Sequence, residues 1–301
     1  MIRRAACGPP FFCGKINLNA SNNRVLVCLR NRDDMKRKMK IKSLIFYFYL
    51  PFLLLACASQ PEVTEPDAAT RWTDQAAEYR AVSRQVYRAA STALQGLIDD
   101  TSWTAIPYQS GAEDLPPAII MDIDQTLVNG VDFQLGHVPP FTAKKFDDWN
   151  ASHVATAVPG SPEFVKLARQ SGVEVFFLTN RFCNSTVETT CIEKPITVED
   201  LNEAGIPAVS DNVSLAGERP DWGSEKKVRR DYIAQYYRVI MLFGDDLGDF
   251  IPCVRSTPSA PCTTASTIAN RLELTKEHDA YWGTGWYILP NPMYGSWTSA
   301  Q

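Results

Sequence analysis

The chain has 301 residues, 45% apolar and 21% charged, with a formal net charge of −4. That is length for one large domain, or one domain with a small accessory piece, and apolar content for a proper core. Only three histidines occur, which argues against a zinc centre.

The first 34 residues show no apolar periodicity and read as an upstream extension, with translation starting at Met35 or Met39. A basic stretch, Lys36-Arg37-Lys38-Met39-Lys40 with Lys42, precedes an almost uninterrupted apolar run from Leu44 to Leu55. A basic n-region, a short h-region and a small residue before a polar, proline-containing stretch compose a bacterial secretion signal over residues 35–56. Cys57, directly after Ala56, makes it a lipoprotein signal in which Cys57 becomes the acylated first residue. The alternative, a membrane-spanning anchor, calls for about 20 apolar residues, and this run is shorter.

Loss of residues 1–56 leaves 19 basic against 32 acidic residues, a net charge of −13. So acidic a surface argues against a nucleic-acid polymer as partner. Small phosphate substrates stay open, because a bound metal reverses the local field. Four cysteines remain beyond Cys57: Cys183, Cys191, Cys253 and Cys262. An even number in an exported chain reads as two disulfides. Of the three pairings, the local one, Cys183–Cys191 with Cys253–Cys262, is favoured.

Residues 57–70 have the composition of a linker between lipid and domain. An N-terminal helical segment follows over 71–112. In it Trp72, Ala76, Tyr79, Val86, Ala90, Leu94 and Leu97 recur at helical spacing, with one break allowed, and residues 101–116 form a loop. Ala118-Ile119-Ile120-Met121 is a buried strand that empties into Asp122-Ile123-Asp124-Gln125-Thr126. Residues 129–159 are polar, with one short helix capped by Thr142 and carrying Phe146 and Trp149. Ser161-Pro162-Glu163 reads as a helix start with Ser161 as N-cap, and the helix closes at Gly172. Val173–Leu178 is a second buried strand leading into Thr179-Asn180-Arg181. A short helix begins at Thr197, and Ser224 caps another that carries Lys226 in its first turn. Val239–Phe243 is a third buried strand ending in Gly244-Asp245-Asp246-Leu247-Gly248-Asp249-Phe250. A helix around Ile268–His278 and a strand from Trp286 to Leu289 close the domain. Strands alternating with helices give a parallel sheet covered on both faces.

Three strand ends thus carry polar groups suited to one phosphoryl site, at the edge where open α/β sheets place their chemistry. Asp122 can attack phosphorus as a carboxylate nucleophile. Asp124 can protonate the leaving oxygen and later deprotonate water. Thr179 and the amides at Asn180 can hold phosphate oxygens. Lys226 can neutralise nucleophile and phosphate together, and Asp245 with Asp249 completes the acidic set that Mg²⁺ prefers. Taken singly, Lys226 is an ordinary solvated helix lysine and the aspartates an Asx-rich turn. Their joint occurrence, in order and at strand ends, speaks for a site.

On these motifs the chain resembles the haloacid dehalogenase (HAD) superfamily, and more narrowly the bacterial class C acid phosphatases, outer-membrane lipoproteins that act on nucleoside monophosphates. The resemblance covers roughly residues 72–298 and includes Glu78-Tyr79, Val158-Pro159-Gly160, Phe176 to Arg181, Gly244 to Phe250, and Leu289-Pro290-Asn291 through Tyr294-Gly295-Ser296-Trp297. It implies an α/β, Rossmann-like core over 113–298 with a parallel sheet between helices. A small helical cap over about 129–159 and an accessory N-terminal helix go with it. It further implies Asp122 as nucleophile and Asp124 as acid/base. Mg²⁺ is then held by the Asp122 side chain, the Asp124 carbonyl and the Asp245 side chain, with Asp249 behind them. Trp149 and Tyr294 fall on the paired rings that clasp the nucleotide base.

Two positions depart from the family. Gln125 stands where glutamate is usual, and Lys226-Lys227 offers two lysines where the family has one; the spacing to Arg229 favours Lys226. Dehalogenase chemistry has no alkoxide to protonate, so Asp124 argues against it. The alternative from another class is a catalytically silent lipoprotein, a ligand carrier or adhesin, against which an intact Asp122, Asp124, Lys226 and Asp245 speak. The location implied is the outer membrane, on its periplasmic or surface face. The oligomeric state, a homodimer being one option, is left open.

Overall fold

The computed structural model describes residues 11–15, 26–30, 65–136, 140–184 and 190–301. The chain divides into two compact units, residues 1–65 and 66–301. In the first, strands β1 (Phe11–Lys15) and β2 (Leu26–Arg30) pair antiparallel, within the stretch read from sequence as an upstream extension. The secretion signal over 35–56, Cys57 and the linker up to residue 64 lie outside the described residues. No helix among the described residues is long and apolar enough to cross a membrane.

The second unit opens with two helices, α1 (Ala68–Gln75) and α2 (Ala77–Asp99), broken at Ala76, whose backbone is extended. Asp67 caps α1 by accepting from the Thr70 amide. On α2 the buried residues Tyr79, Ser83, Tyr87, Ala90, Leu94 and Leu97 follow one another at three- or four-residue steps, a stripe that turns one face to the core. Tyr87 stacks on Phe243 and donates to the Thr126 carbonyl at 2.6 Å. The helix is thereby tied to the first acidic loop.

Five strands form a parallel sheet in the order β7–β6–β3–β8–β9: β3 (Pro117–Met121), β6 (Glu174–Phe182), β7 (Val213–Ala216), β8 (Arg238–Gly244) and β9 (Trp286–Ile288). Every residue of β8 is buried, as expected for a strand covered on both faces. One core cluster joins Tyr87, Leu94, Met121, Phe164, Phe177 and Phe243; the other joins Ile106, Ile120, Leu178, Ile233, Leu242 and Trp286. In β3 and β6 alternate residues supply opposite clusters, the two-residue period of a pleated strand. Pairing Met121 with Phe177 and Phe243 puts the ends of β6, β3 and β8 side by side.

The remaining elements are the two-stranded pair β4 (Val128–Asn129) and β5 (Thr156–Ala157), with helices α3 (Val131–Gly136) and α4 (Ala143–Asn150) between them. Helices α5 (Ser161–Gln170), α6 (Glu193–Glu203), α7 (Lys227–Ala234) and α8 (Ile268–Glu277) complete the unit.

Several local expectations are corrected. Gly160, not Ser161, caps α5. Its φ of 102° and a Cβ position only 3.1 Å from the Tyr87 side chain both demand glycine. The Ser161 hydroxyl instead donates to the Leu127 carbonyl at 2.8 Å. Helix α6 starts at Glu193, four residues before Thr197, and the Thr197 hydroxyl donates back to the Glu193 carbonyl. Lys226, not Ser224, is the residue before α7, and Ser224 bonds Ser259. The segment between β4 and β5 holds two helices, not one. The four-residue edge strand β7 goes unread in the sequence.

Candidate active site

Asp122 follows the last residue of β3, and its amide donates to the Phe243 carbonyl of β8 at 3.0 Å. Asp245 follows the last residue of β8. Parallel neighbours ending together thus bring two carboxylates to one point. Asp249 joins them through a capped turn of 3₁₀ helix, Leu247–Asp249. Carboxylate oxygens of Asp122, Asp245 and Asp249 all lie within 4.8 Å of one another. Gly244 is required at this corner, since any Cβ there would collide with the Asp249 carboxylate.

Lys226 meets this cluster. Its side chain is 4% exposed, and its ammonium pairs with Asp122 Oδ1 and, at 2.6 Å, with Asp249 Oδ1. Asp249 Oδ2 accepts from the amides of Asp245 at 3.1 Å and Asp246 at 3.0 Å. Both Asp249 oxygens are thereby engaged in shaping the loop. Asn291 donates to Asp245 Oδ2 at 2.7 Å, which leaves the other oxygen of Asp245, and Oδ2 of Asp122, to face the cavity. Lys227 points elsewhere, pairing with Asp231 and lying over the Tyr108 ring.

The charge state follows from this crowding. Burial pushes the Asp122 carboxyl up to about 7; Lys226 opposes that rise, while Asp249 and Asp124 add to it. Burial likewise holds Asp245 well above the carboxylate range, with Asp122 and Asp249 adding and Asn291 opposing. For Lys226, burial alone would favour the neutral amine, but Asp122 and Asp249 win and raise it. Three carboxylates and one ammonium leave excess negative charge, and the donors are all hard oxygen. This set fits a divalent ion such as Mg²⁺ and does not suit a soft metal.

Asp124 stands beside this cluster. Thr179 donates to its Oδ2 at 3.2 Å, and Arg181 grips both oxygens, with Nε at 3.2 and 3.1 Å and Nη2 at 2.8 Å from Oδ1. The Thr179 hydroxyl, expected on phosphate, is turned to Asp124 in this arrangement and also accepts from the Arg181 amide. Asn180 is exposed, and its side-chain oxygen accepts from Arg229 at 2.7 Å. Arg229 also donates to the Thr179 carbonyl, and Arg230 to the carbonyls of Gly248, Asp249 and Phe250. The two arginines of α7 therefore hold the Thr179-Asn180 end of β6 and the Gly248–Phe250 turn after β8 in place. Gln125, fully buried with φ 61°, accepts from the Gly130 amide, so the residue at the family's glutamate position closes its own loop.

These groups line a cavity of about 590 Å³. Its floor is Asp122, Asp124, Thr179, Lys226, Asp245 and Asp249; Phe133, Phe141, Phe146 and Tyr294 supply the rings of its wall. Burial lifts the Tyr294 phenol well above its ordinary range, with Asp245, Asp124 and Asp122 adding, which places it over the acidic floor. Trp149, half-buried like Phe146, stacks on it at 5.8 Å and 18°, and its Cη2 lies, like the Tyr294 hydroxyl, within 4 Å of the position a Cβ on Gly130 would take. Phe146 was legible as a helix residue but not as a ring of this wall.

Other groups were missed altogether. Arg181 follows Thr179 by two on a strand, so both project to one side, a signal present in the sequence. Asp200, on α6, accepts from Arg181 at 2.7 Å with no spacing to announce it. The two expected disulfides, Cys183–Cys191 and Cys253–Cys262, are both formed.

A family model for HAD superfamily subfamily IIIB, acid phosphatase, matches residues 55–297. The class C acid phosphatase of Bacillus anthracis is similar in structure, with a TM-score of 0.61 and 26% identity over 77% of this chain and 86% of that one. The same enzyme with tungstate bound gives the same figures.

Proposed function

This chain belongs to subfamily IIIB of the HAD superfamily, the acid phosphatases, and is a phosphomonoester hydrolase; from that we propose a Mg²⁺-dependent, aspartyl-phosphate route to nucleoside 5′-monophosphates. The observation that carries the proposal is a set of three carboxylates within 4.8 Å, Asp122 and Asp249 buried and Asp245 half-buried, met by one buried lysine on a cavity floor. That Bacillus anthracis relative has been seen with an oxyanion, tungstate, which supports a site built for phosphate.

Asp122 attacks phosphorus with the oxygen that Lys226 leaves accessible, and the bond to the leaving oxygen breaks as the bond to Asp122 forms. Asp124 gives its proton to that oxygen and takes one back from the water that later cleaves the acyl phosphate. Lys226 stays bound to Asp122 and Asp249 and offsets charge that grows on the phosphoryl oxygens. The metal, held by Asp122, Asp245 and the Asp124 carbonyl, would supply positive charge to the same oxygens. The ring wall opposite Tyr294 suits a base, because stacking accepts any base with a π-face.

The further proposal from sequence stands beside this. Cys57 carries lipid, and the domain sits at the outer membrane, tethered by the residues between Cys57 and α1, which begins at Ala68, inside the stretch read from sequence as linker.

A phosphate-release panel on the purified protein, with and without Mg²⁺, tests the reading. Nucleoside monophosphates should be cleaved fastest and only with the metal. Asp122→Asn should release none, whereas Asp124→Asn should accumulate an aspartyl-phosphate visible by mass spectrometry. Turnover by Asp122→Asn near the wild-type rate would refute the covalent route.

A further inference from the structure

We propose that Arg181, backed by Asp200, is a positioning residue that aims the Asp124 carboxyl at the leaving oxygen and steadies it after its proton has gone. The inference rests on the reading of Asp124 as general acid and goes beyond it. Arg181 is 4% exposed and makes three hydrogen bonds to Asp124, one from Nη2 and two from Nε. A planar fork that meets both oxygens fixes the plane of a carboxyl group, which a single bond from Thr179 does not.

Asp200 completes the device. It is 1% exposed, and its Oδ2 accepts from the same Nη2 at 2.7 Å, on the side away from the cavity. One guanidinium is thus shared between two carboxyl groups, and Asp200 anchors the arginine to α6 so that its fork stays aimed at Asp124. During the step, the proton passes from Asp124 to the leaving oxygen, the P–O bond electrons go to that oxygen, and the new carboxylate is met by Arg181 in place.

Leaving groups separate this role from a structural one. A nitrophenolate departs without help, whereas an alkoxide needs the proton. kcat/KM reports steps up to that departure and ignores later hydrolysis of the intermediate. Arg181→Ala and Arg181→Lys are compared with wild type and Asp124→Asn on p-nitrophenyl phosphate and on glycerol phosphate. Misplaced general-acid catalysis costs about 10²-fold or more on the alkyl ester. The loss on the nitrophenyl ester should be under about tenfold, reproducing the pattern of Asp124→Asn. Arg181→Lys keeps the charge without the fork and should recover part of the alkyl loss. Asp200→Asn should fall between wild type and Arg181→Ala.

Equal losses on both esters in Arg181→Ala and Arg181→Lys would overturn the proposal and leave Arg181 a packing residue. If Asp124→Asn itself lost both esters equally, the general-acid reading would fall first. Should Arg181→Ala fail to fold, Arg181→Lys and Asp200→Asn carry the same comparison.

Discussion

Replacing Lys226 with methionine removes the cation that, among the described residues, pairs with Asp122 and Asp249, while roughly keeping the volume of the stem. Both pairs are buried, with Lys226 4% and the two carboxylates 9% and 7% exposed at their side chains. Breaking a buried pair by removing one partner costs about 3–5 kcal/mol, because the charge left behind has no compensation. In a domain of this size each kcal/mol moves Tm by roughly 2–4 °C, so a loss of about 6–20 °C is expected without metal. The pH dependence has a definite sign. Asp122 titrates at about 7 in the fold against 3.8 as a free group. Its ionisation therefore weakens the fold as pH rises through that window, and no cost remains once pH falls below it. Without Lys226 the opposition to that rise is gone, so the deficit of Lys226→Met should be greatest above about pH 7. It should shrink in acid, where the wild type carries a buried ammonium facing protonated carboxyls. Urea or thermal unfolding in EDTA across this pH range measures it, and added Mg²⁺ should restore part of the loss. A variant as stable as wild type at pH 8 in EDTA, with no pH trend, would show that the cluster is not a buried ionic site.

Mg²⁺ must displace protons held by Asp122 and Asp245, so its affinity should climb as pH rises through about 7. Calorimetry in buffers of different ionisation enthalpy reads the proton release, and none would contradict the raised carboxyls. Asp122→Asn removes a costly ionisable group, so the inactive enzyme should unfold at a higher temperature than wild type in EDTA at pH 8. Phe146→Ala and Tyr294→Ala should lower kcat/KM for AMP by about 5- to 150-fold, the worth of one stack at about 1–3 kcal/mol. Glycerol phosphate should be little affected. Trp149→Ala, whose ring stacks on Phe146 and approaches Gly130 as the Tyr294 hydroxyl does, should lose AMP activity by a similar factor, and equal losses on AMP and glycerol phosphate would make these rings supports of the fold. Cys57→Ala should move the protein out of the membrane fraction, and thiol titration of the domain should find no free cysteine before reduction.

The sequence was sufficient to place the acidic groups at the strand ends. Apolar runs of four to six residues ending in Asp122, Thr179 and Asp245 announce buried strands, because each run can be covered only on both faces. The parallel order and the loop-borne aspartates then follow from general rules of α/β sheets. The cysteine pairs were also legible, since eight or nine residues of separation permit a local bond. What tertiary structure alone decided is which side chains meet across long separations. Lys226 over Lys227 was settled by the turn entering α7, which sends one ammonium to Asp122 and the other to Asp231. That Phe146 joins Trp149 as a ring near the cavity depends on tertiary packing: the two are three residues apart on one short helix, stack on each other and both meet Phe133. The link from Arg181 to Asp124 and Asp200 spans 57 and 19 residues. No periodicity records such pairings, because they depend on the register of β6 against β3 and on where α6 lands, and both are set by packing rather than by local pattern.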